Sequence, residues 1–136
     1  MADPSPKTSS NTDTLIGRVI NDRFEILDLI ARGGMGRVYR AQQRPLGRQV
    51  ALKILDPRYM GDEDPEFQTR FFLEASTAAK LSHPNTVTVF DYGKTTDDIY
   101  FIVMELVEGR TLSALLKELG PIEPERAINI AVQIAR

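Results

Sequence analysis

The chain of 136 residues has no cysteine, which excludes a disulfide framework and a thiolate metal site and fits a reducing compartment. Its one histidine, His83, stands before Pro84 in a turn-like Ser82-His83-Pro84-Asn85. A role in ending a helix explains it better than metal or acid–base chemistry. With a net charge of -2, the chain carries no basic face of the kind that binds nucleic acid. Long apolar runs are missing as well. Ile99 to Met104 is far short of the roughly 20 residues a membrane-spanning helix needs, and no repeat or heptad pattern is visible. Residues 1–15 form a tail rich in Pro, Ser, Thr, Asn and Asp. It lacks the apolar core of a signal peptide and is expected to be disordered.

The most informative segment runs from Leu29 to Lys53. Glycines crowded at Gly33, Gly34 and Gly36 let a backbone come close to a ligand, and bare amides suit phosphate oxygens. In a dinucleotide-binding fold such glycines would open a helix. Here Val38-Tyr39 continues as a strand, and the turn at Pro45-Leu46-Gly47 leads into another, which predicts a glycine-tipped hairpin followed by a third strand. Lys53 interrupts that apolar strand between Leu52 and Ile54, so its ammonium needs an anion.

From Asp64 to Leu81 the residues Phe67, Phe71, Ala75, Ala78 and Leu81 recur at helical spacing, with Asp64-Pro65-Glu66 as the start signal. Glu74 falls within the apolar stripe, three residues after Phe71 and four before Ala78. Strands are expected near Phe24 to Ile30, Arg37 to Gln42, Gln49 to Leu55, Thr86 to Tyr92 and Ile99 to Glu105, the last two joined by a polar turn at Lys94 to Asp98. Thr111 is placed to cap a short helix ending at Gly120-Pro121, and Pro124 opens another carrying Ala127, Ile128, Ala131, Ile134 and Ala135. That helix reaches Arg136 without a closing signal, as in a severed domain.

Taken together, Gly33-Gly34-Met35-Gly36-Arg37-Val38-Tyr39, Val50-Ala51-Leu52-Lys53, a helix carrying Glu74, His83-Pro84-Asn85, Val103-Met104-Glu105 and Glu108-Gly109-Arg110-Thr111-Leu112 resemble the small lobe of a protein kinase. The likeness is to bacterial serine/threonine kinases of the eukaryotic-like type. It implies an α+β fold in which a five-stranded antiparallel sheet with one packed helix is followed by a hinge and the first helices of a truncated helical large lobe. The corresponding boundaries are a small lobe over 16–107 and the hinge end with the first large-lobe helices over 108–136. One departure is Ala31, where the family has its first loop glycine; an extended backbone there would accept the methyl group without strain.

The resemblance implies that ATP is bound. Gly33, Gly34 and Gly36 would cover the β- and γ-phosphates, while Lys53 would hold the α- and β-phosphates and pair with Glu74. Ile30, Val38 and Ala51 would lie over the adenine, with Met104 behind it, and Ala31 would line the nucleotide at the start of the loop. The Glu105 carbonyl and the Val107 amide would meet its edge. Protein Ser/Thr hydroxyls would be the acceptors, a kinase dimer is compatible with the family, and the location would be cytoplasmic, with any membrane anchor beyond Arg136. No His-Arg-Asp or Asp-Phe-Gly motif is present, so the substrate base and the Mg2+ ligands are missing and the 136 residues are expected to be inactive. A non-catalytic nucleotide-binding or docking module is the alternative. A dinucleotide-dependent oxidoreductase fails, because Lys53 occupies the strand where an acidic ribose ligand would stand.

Overall fold

Among the described residues, six antiparallel strands form one sheet in the order β1-β2-β3-β4-β6-β5. A computed structural model describes residues 14–33, 36–55 and 65–136. The strands are β1 (Val19–Ile20), β2 (Phe24–Arg32), β3 (Gly36–Gln43), β4 (Arg48–Leu55), β5 (Val89–Lys94) and β6 (Tyr100–Met104), and the helices are α1 (Pro65–Ala79), α2 (Leu112–Leu119) and α3 (Pro124–Ala135). The two-residue β1 joins the five expected strands as an edge, pairing Val19 with Glu25 and Ile20 with Phe24. The capping position Asp64, the loop glycine Gly34 and nearly all of the N-terminal tail lie outside the described residues.

Register divides the central strands into two faces, since directly opposed residues point the same way and successive ones alternate. Tyr39 opposes Leu52, which opposes Val103. These three belong to a core with Ile20, Phe24, Ile26, Ala41, Val50, Ile54 and Phe101, all buried. On the other face Val38 opposes Lys53, which opposes Ile102, and Arg40 opposes Ala51, which opposes Met104. The single-residue alternation thus puts a solid apolar core under one surface and the candidate ligand-binding side chains on the other.

Helix α1 packs on that second surface through aromatic rings. Phe67 and Phe71 meet Tyr100 with centroids 5.5 and 5.2 Å apart, and Phe72 meets Tyr92 at 6.1 Å. Offset and edge-on ring contacts of this kind add to the gain from burying apolar area. The helix stops at Ala79, so Leu81, expected in its stripe, is exposed instead.

The expected strand from Thr86 to Tyr92 begins only at Val89. Its first residues are used otherwise: the Thr86 amide donates to the His83 carbonyl at 3.0 Å, and the Thr88 amide to Glu105 Oε1 at 3.1 Å. Thr111 caps α2 by accepting from the Ala114 amide at 3.0 Å, and the Gly120 amide closes the helix on the Leu116 carbonyl. Helix α3 has no buried residue, and Ile128, Val132 and Ile134 are exposed along it.

Candidate nucleotide site

The cross-strand register brings Val38, Ala51, Lys53 and Met104 onto one face of three adjacent strands. Ala51 is buried, whereas Val38, Lys53 and Met104 are half-buried. Ala51 lies between Arg40 and Met104, and one step further along Val38 opposes Lys53, so Val38, Ala51 and Met104 make an apolar floor bordered by two cations. Ala31 opposes Val38 on β2. It is absent from the residues with positive φ, so its methyl group is accommodated as the sequence led us to expect. Ile30 is about half exposed at 47%.

At the loop tip the Gly33 amide donates to the Gly36 carbonyl at 2.8 Å. That amide is therefore engaged within the loop, contrary to its expected availability for phosphate. Gly36 is needed for packing: a β-carbon there would run into the Ile54 carbonyl oxygen and lie 3.2 Å from the Leu55 Cα. The glycine thus permits the close approach of β3 to β4, and only then exposes a bare backbone at the edge of the floor.

Beyond Met104 the chain leaves the sheet. The Glu105 amide donates to the Thr88 carbonyl at 2.8 Å, while its carboxylate accepts from the Thr88 amide. This double tie fixes the start of the connection. Among the described residues the Glu105 carbonyl and the Val107 amide take part in no hydrogen bond, leaving one acceptor and one donor two residues apart. Gly109 has φ +124°, a conformation that strongly favours glycine and turns the chain towards α2.

Lys53 and Glu74 line a single cavity of about 740 Å³ with Leu55, Phe71, Ala75 and Ile102. The expected ion pair is not formed: none of the ion pairs among the described residues joins them. Nor is Glu74 buried in the helix stripe. Its neighbours Phe71 and Ala75 are buried while Glu74 itself is exposed. The cause is the seating of α1, whose ring contacts involve Phe67, Phe71 and Phe72 and leave the following turn facing the open cavity.

Three features escaped the sequence. Arg70, one turn before Glu74, lines the same cavity; the spacing of four residues was a usable signal. Arg40 shares the floor with Ala51 and makes a two-pronged ion pair with Asp28, at 2.9 Å for each bond. The Arg40 hydrogen bond holds the Asp28 carboxyl below the ordinary carboxylate range, and Arg40 is raised in turn, chiefly by Asp28, with a smaller contribution from Glu108. Finally, Asn85 Nδ2 donates to the Gln133 carbonyl at 2.9 Å, tying the turn to α3, while His83 Nδ1 accepts from the Asn85 amide at 3.0 Å. The histidine is thus part of a turn.

The apolar floor, the lysine at its end and the connection with an unengaged acceptor and donor lie on a kinase-like α+β fold. The chain belongs to the protein kinase domain family, whose model matches residues 24–136, and it is the N-terminal portion of a bacterial serine/threonine kinase domain. It is 48% identical over 120 residues to serine/threonine-protein kinase PrkC of Bacillus subtilis, covering 88% of this chain and 18% of that protein. To serine/threonine-protein kinase PknD of Mycobacterium tuberculosis it is 41% identical over 112 residues, covering 82% and 16%. A crystal structure of the Mycobacterium tuberculosis PknI kinase domain matches with a TM-score of 0.74 at 26% identity, covering 88% of this chain and 47% of that one. The chain thus spans less than a fifth of these curated relatives.

Among the described residues no group of three or more His, Asp or Glu side chains stands together where it could hold a metal ion. None of their helices is long and apolar enough to cross a membrane.

Proposed function

We propose that this chain is the ATP-binding part of a serine/threonine protein kinase that transfers the γ-phosphate of ATP to protein hydroxyls. The observation that carries this reading is the shared face of Val38, Ala51, Lys53 and Met104, bounded by an unengaged carbonyl at Glu105 and an unengaged amide at Val107. Adenine stacks on the apolar floor, and its edge meets the two hinge groups, one accepting and one donating. Lys53 reaches the α- and β-phosphates, and Glu74 approaches across the cavity to hold the ammonium. Gly36 brings the loop backbone close to the phosphates, with the amide of Gly34 available on the reading from sequence.

Phosphoryl transfer depends on positioning and charge stabilisation. The base for the substrate hydroxyl and the Mg2+ ligands belong to segments of the domain other than these 136 residues. The exposed Ile128, Val132 and Ile134 of α3 pack against that remainder in the whole kinase. Small-lobe residues alone bind ATP weakly and transfer nothing. Titration with a fluorescent ATP analogue tests the binding half: Lys53→Met should abolish or strongly weaken the signal, and undiminished binding would refute the site. Incubation with labelled ATP, magnesium and a general protein substrate tests the other half. Lys53-dependent transfer by the 136 residues would overturn the division of labour.

A further inference from the structure

β1 and β5 are the two edges of the sheet, yet a side chain spans them. Arg18, just before β1, places Nη2 2.7 Å from both carboxylate oxygens of Asp97, 79 residues away. The segment bearing Arg18 is itself fixed: the Gly17 amide donates to the Ile26 carbonyl at 2.8 Å, the Ile26 amide to the Arg18 carbonyl at 2.9 Å, and Ile20 is fully buried. A second bridge, Arg23 Nη1 to Asp91 Oδ2 at 3.3 Å, joins the turn after β1 to β5.

Asp97 organises the turn between β5 and β6. Its Oδ1 accepts from Thr95 Oγ1 at 2.7 Å, and Thr95 Oγ1 accepts from the Ile99 amide at 3.0 Å. The Thr95 amide donates back to the Ile99 carbonyl at 2.9 Å. The strands leaving this turn carry Tyr92 and Tyr100, the rings on which Phe67, Phe71 and Phe72 of α1 rest. Glu74 follows two residues after Phe72.

We infer that the Arg18–Asp97 pair is a latch that positions α1: by holding the β5–β6 turn it sets the tyrosine seat, and the seat sets where Glu74 stands relative to Lys53. Asp97 is thus a positioning residue, acting on the nucleotide site through the hairpin and the helix. An exposed ion pair contributes little to global stability, so its effect is local, on the order of α1. The hydrogen bonds from Arg18 and Thr95 hold the Asp97 carboxyl down at about 2, which keeps the latch charged. The consequence for ATP rests on the roles proposed above for Lys53 and Glu74; the effect on α1 does not.

Amide hydrogen exchange on the 136-residue chain without nucleotide tests the latch. In Asp97→Asn and in Arg18→Gln, the amides of α1 should exchange severalfold faster while those paired between β3 and β4 keep their rates, and the charge-swapped Arg18→Asp/Asp97→Arg protein should restore α1. Unchanged α1 exchange, equal acceleration in β3 and β4, or no restoration by the swap overturns the inference. ATP affinity should fall in Asp97→Asn and recover in the swap. Survival of ATP binding in Lys53→Met would defeat the nucleotide site instead, leaving the exchange rates to decide the latch.

Discussion

Lys53 on β4 and Glu74 on α1 line one cavity without forming an ion pair. Had they formed a buried pair, removing one partner would cost about 3 to 5 kcal/mol by stranding the other charge. Glu74 is exposed, so Glu74→Ala should change the stability of the free chain by no more than about 0.5 kcal/mol. On the reading proposed above, the same substitution should weaken ATP binding, because Glu74 would no longer hold the Lys53 ammonium against the phosphates. Urea denaturation with and without nucleotide separates the two effects; a large loss without nucleotide would mean that the pair forms in the free protein.

The seat of α1 should be far more sensitive. Phe71 is 6% exposed and packs its ring against Phe67, Phe72 and Tyr100. Phe71→Ala removes a buried ring and opens a void beside an already large cavity, at a cost of about 3 to 5 kcal/mol. Denaturant midpoints measured at constant slope would register the loss. A change below about 1 kcal/mol would mean that the helix collapses into the space.

What was legible in the sequence follows from local rules. Alternation fixed β2 to β4, and Thr111, Gly120 and Pro124 marked the ends of α2 and the start of α3, because caps and glycine turns act within a few residues. Lys53 announced itself as a charge in an apolar strand. Glu74 was expected in the buried stripe of α1 but is exposed beside the cavity, because its placement depends on how Tyr92 and Tyr100, distant along the chain, seat the helix. The Arg18–Asp97 and Asp28–Arg40 pairs were invisible for a similar reason: sheet curvature and register create them, and neither leaves a spacing pattern in the chain.

Acid should release the Arg18–Asp97 pair in a defined window. The Asp97 carboxyl is lowered from its ordinary 3.8 to about 2, first by the hydrogen bond from Arg18 and then by that from Thr95. A depressed carboxyl stabilises the fold above its unfolded value, and that contribution is lost as pH falls through the folded one. The stability difference between the parent chain and Asp97→Asn, small because the pair is exposed, should therefore be present in full above about pH 4, shrink between pH 4 and pH 2, and vanish below. Thermal midpoints of the two proteins across this range supply the measurement; a difference independent of pH would mean that the carboxylate charge is not what holds the turn.

The two loop positions Ala31 and Gly36 should respond in opposite ways to a single methyl group. Ala31 opposes Val38 on an exposed part of β2 and lacks a positive φ. Ala31→Gly therefore relieves no strain, and the freer backbone should cost about 0.5 to 1 kcal/mol. Gly36 has no room, because an added β-carbon meets the Ile54 carbonyl oxygen and the Leu55 backbone, neither of which can swing away like a side chain. Gly36→Ala should push β3 from β4 and cost about 1 to 3 kcal/mol, the usual range for overpacking. Nucleotide affinity discriminates further. It should change less than about tenfold, or 1.4 kcal/mol, in Ala31→Gly, and should fall in Gly36→Ala because β3 carries both the end of the loop and Val38 of the floor. A marked gain in affinity for Ala31→Gly would mean that the alanine obstructs the nucleotide, and that the first loop position needs glycine for close approach as Gly36 needs it for packing.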